Sequence, residues 1–468
     1  MKKAVFVDLL HQFWDHHGIY SLAAAMKAGG IEVQYIGTRS FTEALSRVRR
    51  LKPDYVLYSS FSTSESSYLQ FDRILKNSMD ILSVMGGPAV TFGWSRLQDS
   101  SIDAFCMGEG EVALVDFIKH DVTGKNVFLR GLKPSGDFHP LVNLDSLPLP
   151  DRSAVYSTDS LLRLAPSKQF FSGRGCLYDC SYCFNHKFRE IFKSCGPTVR
   201  KKSVDYLLDE IAQVRRTYPL ANVVFNDDIF ILDKKWFQEF CSRFPREVGL
   251  PYTCYIRANL LDEEIVRGLK QSNCRNVNWS IEAGNEQYRN RVLRRNMSDE
   301  QILNAAELLH RYHIPFRIGN VIALPGESLQ QMEETIAINI LARPYLGLAN
   351  IFVPFPGLEL TEYAKRIGCY KERPQDNLPP DYFTRSVLDY SQHEQGAIYK
   401  LMCLFPLFVN FPALFYRAGI RRLLFRIPRR ILRLLYEITY TYKMSRMYVV
   451  RTAWRHKALM ALRYLRNI

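Results

Sequence analysis

Three cysteines on one short stretch are the residues of this sequence best suited to chemistry. Cys176, Cys180 and Cys183 lie within the segment FFSGRGCLYDCSYCFNH (170–186), in a C-x3-C-x2-C spacing. Three thiolates on such a loop can ligate three irons of a 4Fe–4S cluster, and the lack of a fourth local cysteine leaves one iron open to a substrate or cofactor. Zinc is the alternative metal. Structural zinc sites usually pair C-x2-C with a second such pair or with histidines, and the sequence contains no second pair.

The segments around this loop predict a barrel that would position it. The apolar strand KQFFSG precedes the first cysteine, and five further strand-like segments separated by helix-like ones follow. They are ANVVFNDDIF (221–230), YTCYIRANL (252–260), NVNWSIEAG (276–284), FRIGNVIALPGE (316–327) and LANIFVPFPG (348–357). These strand–helix units predict a partial (β/α)6 barrel of the TIM type, with its site at the C-terminal ends of the strands. Polar residues collect at those ends: Asp227, Asp228, Arg257, Ser280, Glu282, Asn320 and Glu327.

The cysteine motif, with the aromatic Tyr182 before its third cysteine, resembles the signature of the radical S-adenosylmethionine family. In that family S-adenosylmethionine chelates the open iron. An electron supplied by a reductant such as flavodoxin or ferredoxin then cleaves it to a 5′-deoxyadenosyl radical. The resemblance implies that Asp227 or Asp228 lies near the amino group of the nucleotide. The other residues implied to bind S-adenosylmethionine are Tyr182, Arg257, Ser280, Glu282, Arg295 and Asn320. The alternative is structural, since an arginine at a barrel rim can simply pair with a neighbouring carboxylate.

The N-terminal third alternates short apolar runs with amphipathic, helix-like stretches. The runs AVFVDLL (4–10), EVQYIG (32–37), DYVLYSSF (54–61), DILSVMGG (80–87) and AFCMGE (104–109) are typical of buried parallel strands. This alternation predicts an α/β domain with a doubly wound parallel sheet, whose ligand crevice lies at the C-terminal ends of the strands. Small residues follow two of these strands, so backbone could closely approach a large cofactor there: Ser59, Ser60, Ser62, Gly86 and Gly87.

The sequence GGP followed by GEGE (108–111) at this spacing resembles the cobalamin-binding domain attached to many radical S-adenosylmethionine enzymes. The resemblance implies a cobalamin site formed by the small residues above and Glu109. The Asp-x-His-x-x-Gly pattern that supplies an axial histidine in many cobalamin proteins is missing, since the first loop is HQFWDHHG (11–18). The resemblance therefore implies cobalamin held without a protein imidazole. The alternative is again structural, because Gly-Gly-Pro often forms only a turn and serines commonly cap helices.

Composition and charge limit the remaining possibilities. The chain has 468 residues, of which 47% are hydrophobic and 23% charged, which excludes wholesale disorder, collagen and a polytopic membrane protein. Ten cysteines are too few for a disulfide scaffold, and no secretory signal is recognisable, so a cytoplasmic protein is expected. The net charge is +15, but residues 401–468 hold 14 basic side chains and one acidic one, Glu437. The charge excess therefore belongs to the C-terminal tail.

This tail predicts a membrane-surface element. An uncharged stretch, 401–416, is too short to span a bilayer and is interrupted by Pro406 and Pro412. Arginines then alternate with Leu, Ile and Tyr through 421–450, which is typical of amphipathic helices at an anionic membrane interface, here the inner face of the membrane. Two alternatives remain, a helical subdomain docked on the barrel and an RNA-binding tail, of which nucleic acid is the less favoured.

The sequence thus predicts a cobalamin-binding domain (1–130), a linker (131–165), a radical S-adenosylmethionine core (166–395) and a basic helical region (396–468). By resemblance, the expected activity is methylation of an unactivated carbon of a lipid or other membrane-associated small molecule, through a 5′-deoxyadenosyl radical and methylcobalamin. The alternatives are an oxidative cyclisation or rearrangement without net methylation, and a non-catalytic cobalamin- or cluster-binding sensor. Methylthio transfer to tRNA is disfavoured because those relatives carry three more cysteines in the N-terminal domain, where only Cys106 occurs here.

Overall fold

The computed structural model describes residues 1–11, 14–371 and 383–448. These residues form two compact units. The first contains the described residues up to 175 together with 187–220, and the second contains 176–186 together with the described residues from 221 onward.

The first unit is built on a six-stranded sheet in the order β2-β1-β3-β4-β5-β6. The strands are β1 (Lys3–Asp8), β2 (Glu32–Gly37), β3 (Tyr55–Ser59), β4 (Leu82–Gly86), β5 (Ala104–Cys106) and β6 (Val127–Leu129). All neighbours are parallel except β5 and β6, which are antiparallel. The intervening helices are α1 (His17–Ala28), α2 (Phe41–Leu51), α3 (Glu65–Lys76), α4 (Pro88–Gly93) and α5 (Ala113–His120). Separate apolar clusters form on the two faces of the sheet, which confirms the predicted doubly wound architecture.

The segment that the sequence predicts to be a linker is part of this first unit. Two short helices, α6 (Ser153–Tyr156) and α7 (Ser160–Leu164), place Val155, Tyr156 and Leu162 in the apolar core beneath the sheet. Burial of these side chains packs the C-terminal part of the predicted linker, 131–165, into the core of the first unit. The elements that follow are β7 (Ser167–Phe170), β8 (Gly173–Arg174), α8 (Phe184–Ile191), β9 (Arg200–Lys201) and α9 (Val204–Thr217). Strands β8 and β9 pair as an antiparallel ribbon.

The second unit contains parallel strands in the order β10-β11-β12-β13-β14. They are β10 (Asn222–Phe225), β11 (Tyr252–Tyr255), β12 (Cys274–Glu282), β13 (Phe316–Ile322) and β14 (Leu346–Ile351). The helices between and after them are α10 (Lys234–Glu247), α11 (Glu263–Gln271), α12 (Glu286–Arg291), α13 (Asp299–Arg311), α14 (Leu329–Ala342) and α15 (Glu359–Arg366). Local sequence sets the helix starts: Ser298 and Ser328 form capping boxes with Gln301 and Gln331, which satisfy backbone N–H groups at the first turns of α13 and α14. The strand and helix order agrees with the predicted barrel.

The C-terminal helices belong to this same unit and do not form a separate tail over the described residues. They are α16 (Gln392–Asn410), α17 (Pro412–Tyr416), α18 (Ala418–Leu424) and α19 (Arg429–Met447). Helix α16 packs on β14 and α14, and α19 packs on α16. The uncharged stretch beginning at 401 is therefore core, and Leu404, Phe405 and Phe408 are fully buried. Residues 449–468 of the predicted basic region lie outside the described residues. Over the part of the chain that is described, no helix has the length and apolar character needed to cross a bilayer.

Candidate active site

The three cysteines of the motif lie on a loop anchored to the barrel by its neighbours. Ser181 donates its backbone N–H to the carbonyl of Leu293 at 3.1 Å and its hydroxyl to the carbonyl of Val292 at 2.8 Å. Its own carbonyl accepts the N–H of Leu360 at 2.9 Å. Cys176 and Cys180 are buried, Cys183 is half-buried, and all three thiols are free of disulfides. The backbone of the loop that carries the three thiols is therefore fixed both by residues 292–293 and by Leu360.

Two arginines approach the middle cysteine. The guanidinium groups of Arg257, after β11, and Arg295, after α12, lie 3.8 and 3.9 Å from Sγ of Cys180. Arg257 also donates to the backbone carbonyl of Arg295, and Arg295 donates to the backbone carbonyl of Ser280, so backbone oxygens fix both guanidinium groups. The two guanidinium groups therefore place positive charge directly beside the middle cysteine.

These residues fit an iron–sulfur cluster. Burial raises the pKa of Cys183 to about 11 and also raises the pKa of Cys176, so as free thiols they stay protonated. Thiolates in such a buried site need positive charge nearby. The two arginines provide part of it, and iron bound to the sulfur atoms would provide the rest. In the residues that the structure describes, no three His, Cys, Asp or Glu side chains converge on a single metal ion. A cluster instead takes one thiolate for each iron, which suits cysteines spread along a loop.

A hydrogen-bonded group extends from this cation pair. The hydroxyl of Tyr182 donates to Oε1 of Glu282 at 3.0 Å, and the guanidinium of Arg295 lies 3.9 Å from the same oxygen. Arg295 also bonds the backbone of Ser280, the residue two before Glu282 on β12. The structure thus brings together five of the residues predicted to bind S-adenosylmethionine: Tyr182, Arg257, Ser280, Glu282 and Arg295. Their individual roles stay predictions.

The two aspartates after β10 also lie beside the cysteine loop. Asp227 is buried, and burial raises the pKa of Asp228, with the charge of Asp227 adding to the effect. A hydrogen bond with Asn185, just after the third cysteine, acts in the opposite direction. Asp228 is close enough to Cys176 and Cys183 to raise the pKa of each thiol. The site thus contains carboxylates next to the thiols, as a contact to the amino group of a nucleotide would require.

Asn320 does not belong to this group. Its side chain points toward α14, where its amide exchanges hydrogen bonds with Asn339 at 3.2 and 3.0 Å and also donates to the carbonyl of Leu348 at 2.8 Å. It is 3% exposed. Contact of Asn320 with S-adenosylmethionine stays a prediction. Side chains alternate along a strand, and β13 turns this one to the helix layer while Gly319 faces Ser280.

In the first unit, the predicted small residues meet at the ends of β3 and β4. Ser60 donates its backbone N–H to the carbonyl of Gly86 at 3.0 Å. A Cβ on Gly87, whose φ is +91°, would come within 2.7 Å of the carbonyl oxygen of Ser60. Only glycine allows this approach, so the strand ends form a tight, backbone-lined edge. Ser62 is buried and Ser59 half-buried at the same edge. Contact of these residues with cobalamin stays a prediction.

Glu109, the other residue predicted to contact cobalamin, forms ion pairs with two arginines. Its carboxylate accepts hydrogen bonds from Arg174 at 2.8 Å and from both terminal nitrogens of Arg200, at 2.5 and 3.0 Å. Glu111 pairs with the second terminal nitrogen of Arg174 at 2.5 Å and accepts a bond from Ser21. A carboxylate bound by two arginines anchors the elements that carry them, and contact of Glu109 with cobalamin stays a prediction. Arg174 and Arg200 are not among the site residues predicted from the sequence, although Arg174 stands two residues before the first cysteine.

Two of the three histidines of the first loop, His11 and His16, have carboxylate partners. Nε2 of His11 lies 3.1 Å from Asp159, and Nε2 of His16 lies 3.5 Å from Asp8. Burial, followed by the charge of Arg152, lowers the pKa of His17 to about 3, so its imidazole is neutral. Residues 12 and 13 of this loop lie outside the described residues.

Comparison with known protein families agrees with both sites. The model of the radical SAM superfamily matches residues 170–337, and that of the B12 binding domain matches residues 4–118. The matched segments contain the cysteine loop and the glycine-lined strand ends, respectively. The chain therefore carries a B12-binding domain ahead of a radical SAM domain. It is a cobalamin-dependent radical SAM enzyme, with S-adenosylmethionine, a 4Fe–4S cluster and cobalamin as its cofactors, as the sequence predicted.

Individual relatives are distant. The uncharacterized methyltransferase PH0819 of Pyrococcus horikoshii is 24% identical over 347 residues, which span 69% of this chain and 72% of that protein. The anaerobic magnesium-protoporphyrin IX monomethyl ester cyclase of Rubrivivax gelatinosus is 24% identical over 375 residues, spanning 74% of this chain and 66% of the cyclase. The methyltransferase TsrM from Kitasatospora setae, solved with cobalamin and a [4Fe-4S] cluster, aligns with a TM-score of 0.63 and 16% identity over 80% of each chain. This last similarity shows a shared fold.

Proposed function

We propose that this enzyme transfers a methyl group to a carbon atom of a small molecule. The supporting observation is that one chain combines a B12-binding domain with a three-cysteine loop faced by Arg257 and Arg295. When bound, the cluster, S-adenosylmethionine and cobalamin supply a substrate radical and a transferable methyl group. The chain's own contribution is to hold the thiolates, to compensate their charge with the arginine pair, and to orient the nucleotide through Tyr182 and Glu282. PH0819 and TsrM are both named methyltransferases, which favours this activity.

The test is anaerobic reconstitution of the full chain with iron, sulfide and hydroxocobalamin, followed by S-adenosylmethionine and dithionite. We expect both 5′-deoxyadenosine and S-adenosylhomocysteine, measured together by mass spectrometry. Cys180→Ala should abolish 5′-deoxyadenosine formation, whereas Cys241→Ser, a half-buried cysteine on α10, should leave it unchanged. Formation of 5′-deoxyadenosine by Cys180→Ala at the wild-type rate would contradict the proposal. Flavodoxin or ferredoxin in place of dithionite tests the predicted physiological reductant.

Oxidative cyclisation or rearrangement is the second candidate, because the Rubrivivax cyclase aligns with 74% of this chain. It predicts 5′-deoxyadenosine without S-adenosylhomocysteine under the same conditions. A sensor that binds the cofactors without turnover is the third candidate and predicts neither product from a fully reconstituted protein. The same measurement therefore separates the three.

We further propose that the substrate is a lipid or another membrane-associated molecule, reached by an enzyme that is cytoplasmic and peripheral to the inner face of the membrane. Helix α19 supports this because it has two apolar faces. Leu432 and Tyr436 are buried against α16, while a second stripe at helical spacing is 49% to 59% exposed: Ile431, Leu434, Ile438 and Tyr442. Exposed arginines flank this stripe at 422, 426, 430 and 446. Apolar side chains bordered by arginines are suited to an anionic lipid surface.

This surface can be tested without disturbing the core. Replacing Ile431, Leu434, Ile438 and Tyr442 by Ser should release the protein from phosphatidylglycerol vesicles in co-sedimentation, while bound cobalamin stays unchanged. Leu341→Ser, an equally exposed leucine on α14, is the matched control and should not alter binding. Equal co-sedimentation of the stripe variant and the wild type would contradict membrane docking. Binding to neutral phosphatidylcholine vesicles alone would contradict the role of the arginines.

A further inference from the structure

The inner face of the sheet in the second unit is polar below the cysteine loop. Ser280 on β12 faces Gly319 on β13, as the 3.0 Å between Oγ of Ser280 and a Cβ built on Gly319 indicates. Because side chains alternate, Asn278 and Arg317 lie on the same inner face, one layer nearer the N-terminal ends of the strands. Tyr255 on β11 pairs in register with Asn278 and completes this row. The row lies about 7 Å below the Ser280 layer, at roughly 3.3 Å per residue.

Arg317 is the notable member of this row because its charge is uncompensated. One terminal nitrogen donates to the hydroxyl of Tyr255 at 3.1 Å, and that is its only hydrogen bond within the described residues. No Asp or Glu of the described chain forms an ion pair with it. Tyr448, Tyr255 and Tyr440 are the neighbours that most stabilise its charged form. A largely enclosed guanidinium without an anionic partner is costly, because buried charges are ordinarily paired, and a bound anion would supply that partner.

A second observation points to a ligand at the same place. One layer further down, Oγ1 of Thr253 and Oδ1 of Asn276 are buried and have no hydrogen-bond partner. Both residues are 0% exposed, and they pair in register across β11 and β12. The hydroxyl of Tyr255, which accepts a hydrogen bond from Arg317, keeps its own proton available for donation. Asn278 is hydrogen-bonded to the hydroxyl of Tyr448, and Nδ2 of Asn276 donates to the carbonyl of Met447. The hydroxyls of Thr253 and Tyr255 therefore remain as donors near the guanidinium of Arg317.

We propose that Arg317 and Tyr255 form an anion-binding subsite that takes a carboxylate or phosphate group of the substrate. This rests on the proposed function, because it names the substrate class of that same site. Arginine binds both groups through paired N–H donors, and the phenol adds a third donor. An anion held in this row leaves the rest of the molecule to extend toward the Ser280 layer, beside the arginines that face Cys180. An anionic lipid headgroup and a free carboxylic acid both satisfy this chemistry.

The test is protection of Arg317 from chemical modification in the reconstituted full chain. Phenylglyoxal modifies accessible guanidinium groups, and peptide mass spectrometry reads the rate at each arginine. The probes are inorganic phosphate, benzoate and neutral benzamide, at one ionic strength maintained with chloride. At a probe concentration of twice its Kd, two-thirds of sites are occupied, so the rate at Arg317 should fall about threefold. Arg311, an exposed residue of α13, is the internal control and should be unaffected.

Each outcome decides the proposal. Protection by phosphate alone indicates that the substrate carries a phosphate ester, and protection by benzoate alone indicates that it carries a carboxylate. Protection by both indicates a subsite that accepts either anion, and each of these three results supports the subsite. Equal protection by benzamide, no protection, or an Arg317 that does not react at all overturns it. As a second measurement, phosphate should raise the unfolding temperature of the wild type and of Arg311→Gln but not that of Arg317→Gln, with cluster absorbance and bound cobalamin as folding checks. S-adenosylhomocysteine formation by the same preparation tests the methyl-transfer proposal separately.

Discussion

At the scale of single residues, the site depends on charges placed against thiols. Arg257 and Arg295 come from different loops of the barrel, and each reaches Sγ of Cys180 within 4 Å. The ring of Tyr178 covers the guanidinium of Arg257 at 3.7 Å, which fixes its orientation. Groups that orient and compensate metal ligands are as much a part of a metal site as the ligands themselves.

Removing one of these charges should therefore weaken the site without destroying the fold. We expect Arg257→Met to reduce cluster retention or 5′-deoxyadenosine formation by about 10- to 100-fold, the usual effect of losing an outer-shell partner. Iron content and product formation measure this. Arg257→Lys should recover part of the loss because it restores the charge. Arg343→Gln, at an exposed position after α14, should behave as wild type. A Met variant with normal iron content and normal product formation would show that the arginine does not act on the cluster.

Glu327 is a second residue whose environment has a measurable consequence. Its Oε2 accepts the N–H of Leu324 at 3.0 Å, whereas its buried Oε1 has no partner. Burial raises its pKa to about 8, so the folded chain holds this carboxyl protonated at neutral pH. The turn after β13 thus depends on a neutral acid.

Stability should accordingly fall as the pH rises from 5 to 8. The folded state binds the proton of Glu327 more tightly than the unfolded state does, so stability is fully present below the unfolded pKa and is lost as the pH approaches the folded pKa. Between pH 5 and 8 we expect the free energy of unfolding of the wild type to fall by about 2–4 kcal/mol more than that of Glu327→Gln, which has no carboxyl to ionise. Urea unfolding at several pH values measures it. Parallel pH profiles for the two proteins would mean that the carboxyl is ionised in the folded state.

At the scale of elements, the ribbon of β8 and β9 is held by ion pairs. Arg174 lies on β8 and Arg200 on β9, and both bind Glu109 in the loop after β5. Gly175 follows β8 with φ +88°, and a Cβ there would meet the carbonyl of Thr198 at 2.3 Å, so the exit from this ribbon also requires glycine. The ion pairs therefore hold the ribbon against the loop after β5 within the first unit.

Breaking this anchor should cost stability. We expect Glu109→Ala to lower the free energy of unfolding by about 3 kcal/mol, because it leaves the buried guanidinium of Arg200 unpaired. The double variant Glu109→Ala/Arg200→Met should cost less than the sum of its single changes, as a direct pair requires. Denaturant unfolding with retained cobalamin as a second readout measures both. Glu32→Gln, which removes an exposed ion pair with Lys3, should cost under about 1 kcal/mol. Strict additivity in the double variant would contradict the coupling.

At the scale of the whole molecule, the described part of the C-terminal region contributes to the hydrophobic core of the second unit. Helix α16 contributes Leu401, Leu404, Phe405 and Phe408 to the core cluster of the second unit. A deletion of 401–468 therefore removes part of this core, whereas the charge pattern alone suggests a separate surface tail.

We expect that truncation to give insoluble protein or protein unable to retain its cluster. Phe405→Ala should destabilise the second unit by about 3–5 kcal/mol through the cavity it leaves. Solubility, iron content and denaturant unfolding are the measurements. Leu423→Ala, an exposed position on α18, should change stability little. A soluble truncated protein with a full cluster would mean that α16 is dispensable to the fold.

The sequence by itself determined the features that follow from local spacing. Cysteine spacing, runs of buried strands and the glycines at strand ends each depend on residues near one another in the chain, so they predicted the cluster loop, both sheets and the family. What only the tertiary structure decided depends on pairing between distant residues. The direction of Asn320 follows from which face of β13 meets α14, and the role of Glu109 follows from Arg174 and Arg200 reaching it across 65 and 91 positions. The apolar run at 401 is likewise core because β14 and α14 cover it. Such contacts have no local signature, since they exist only once the chain has folded.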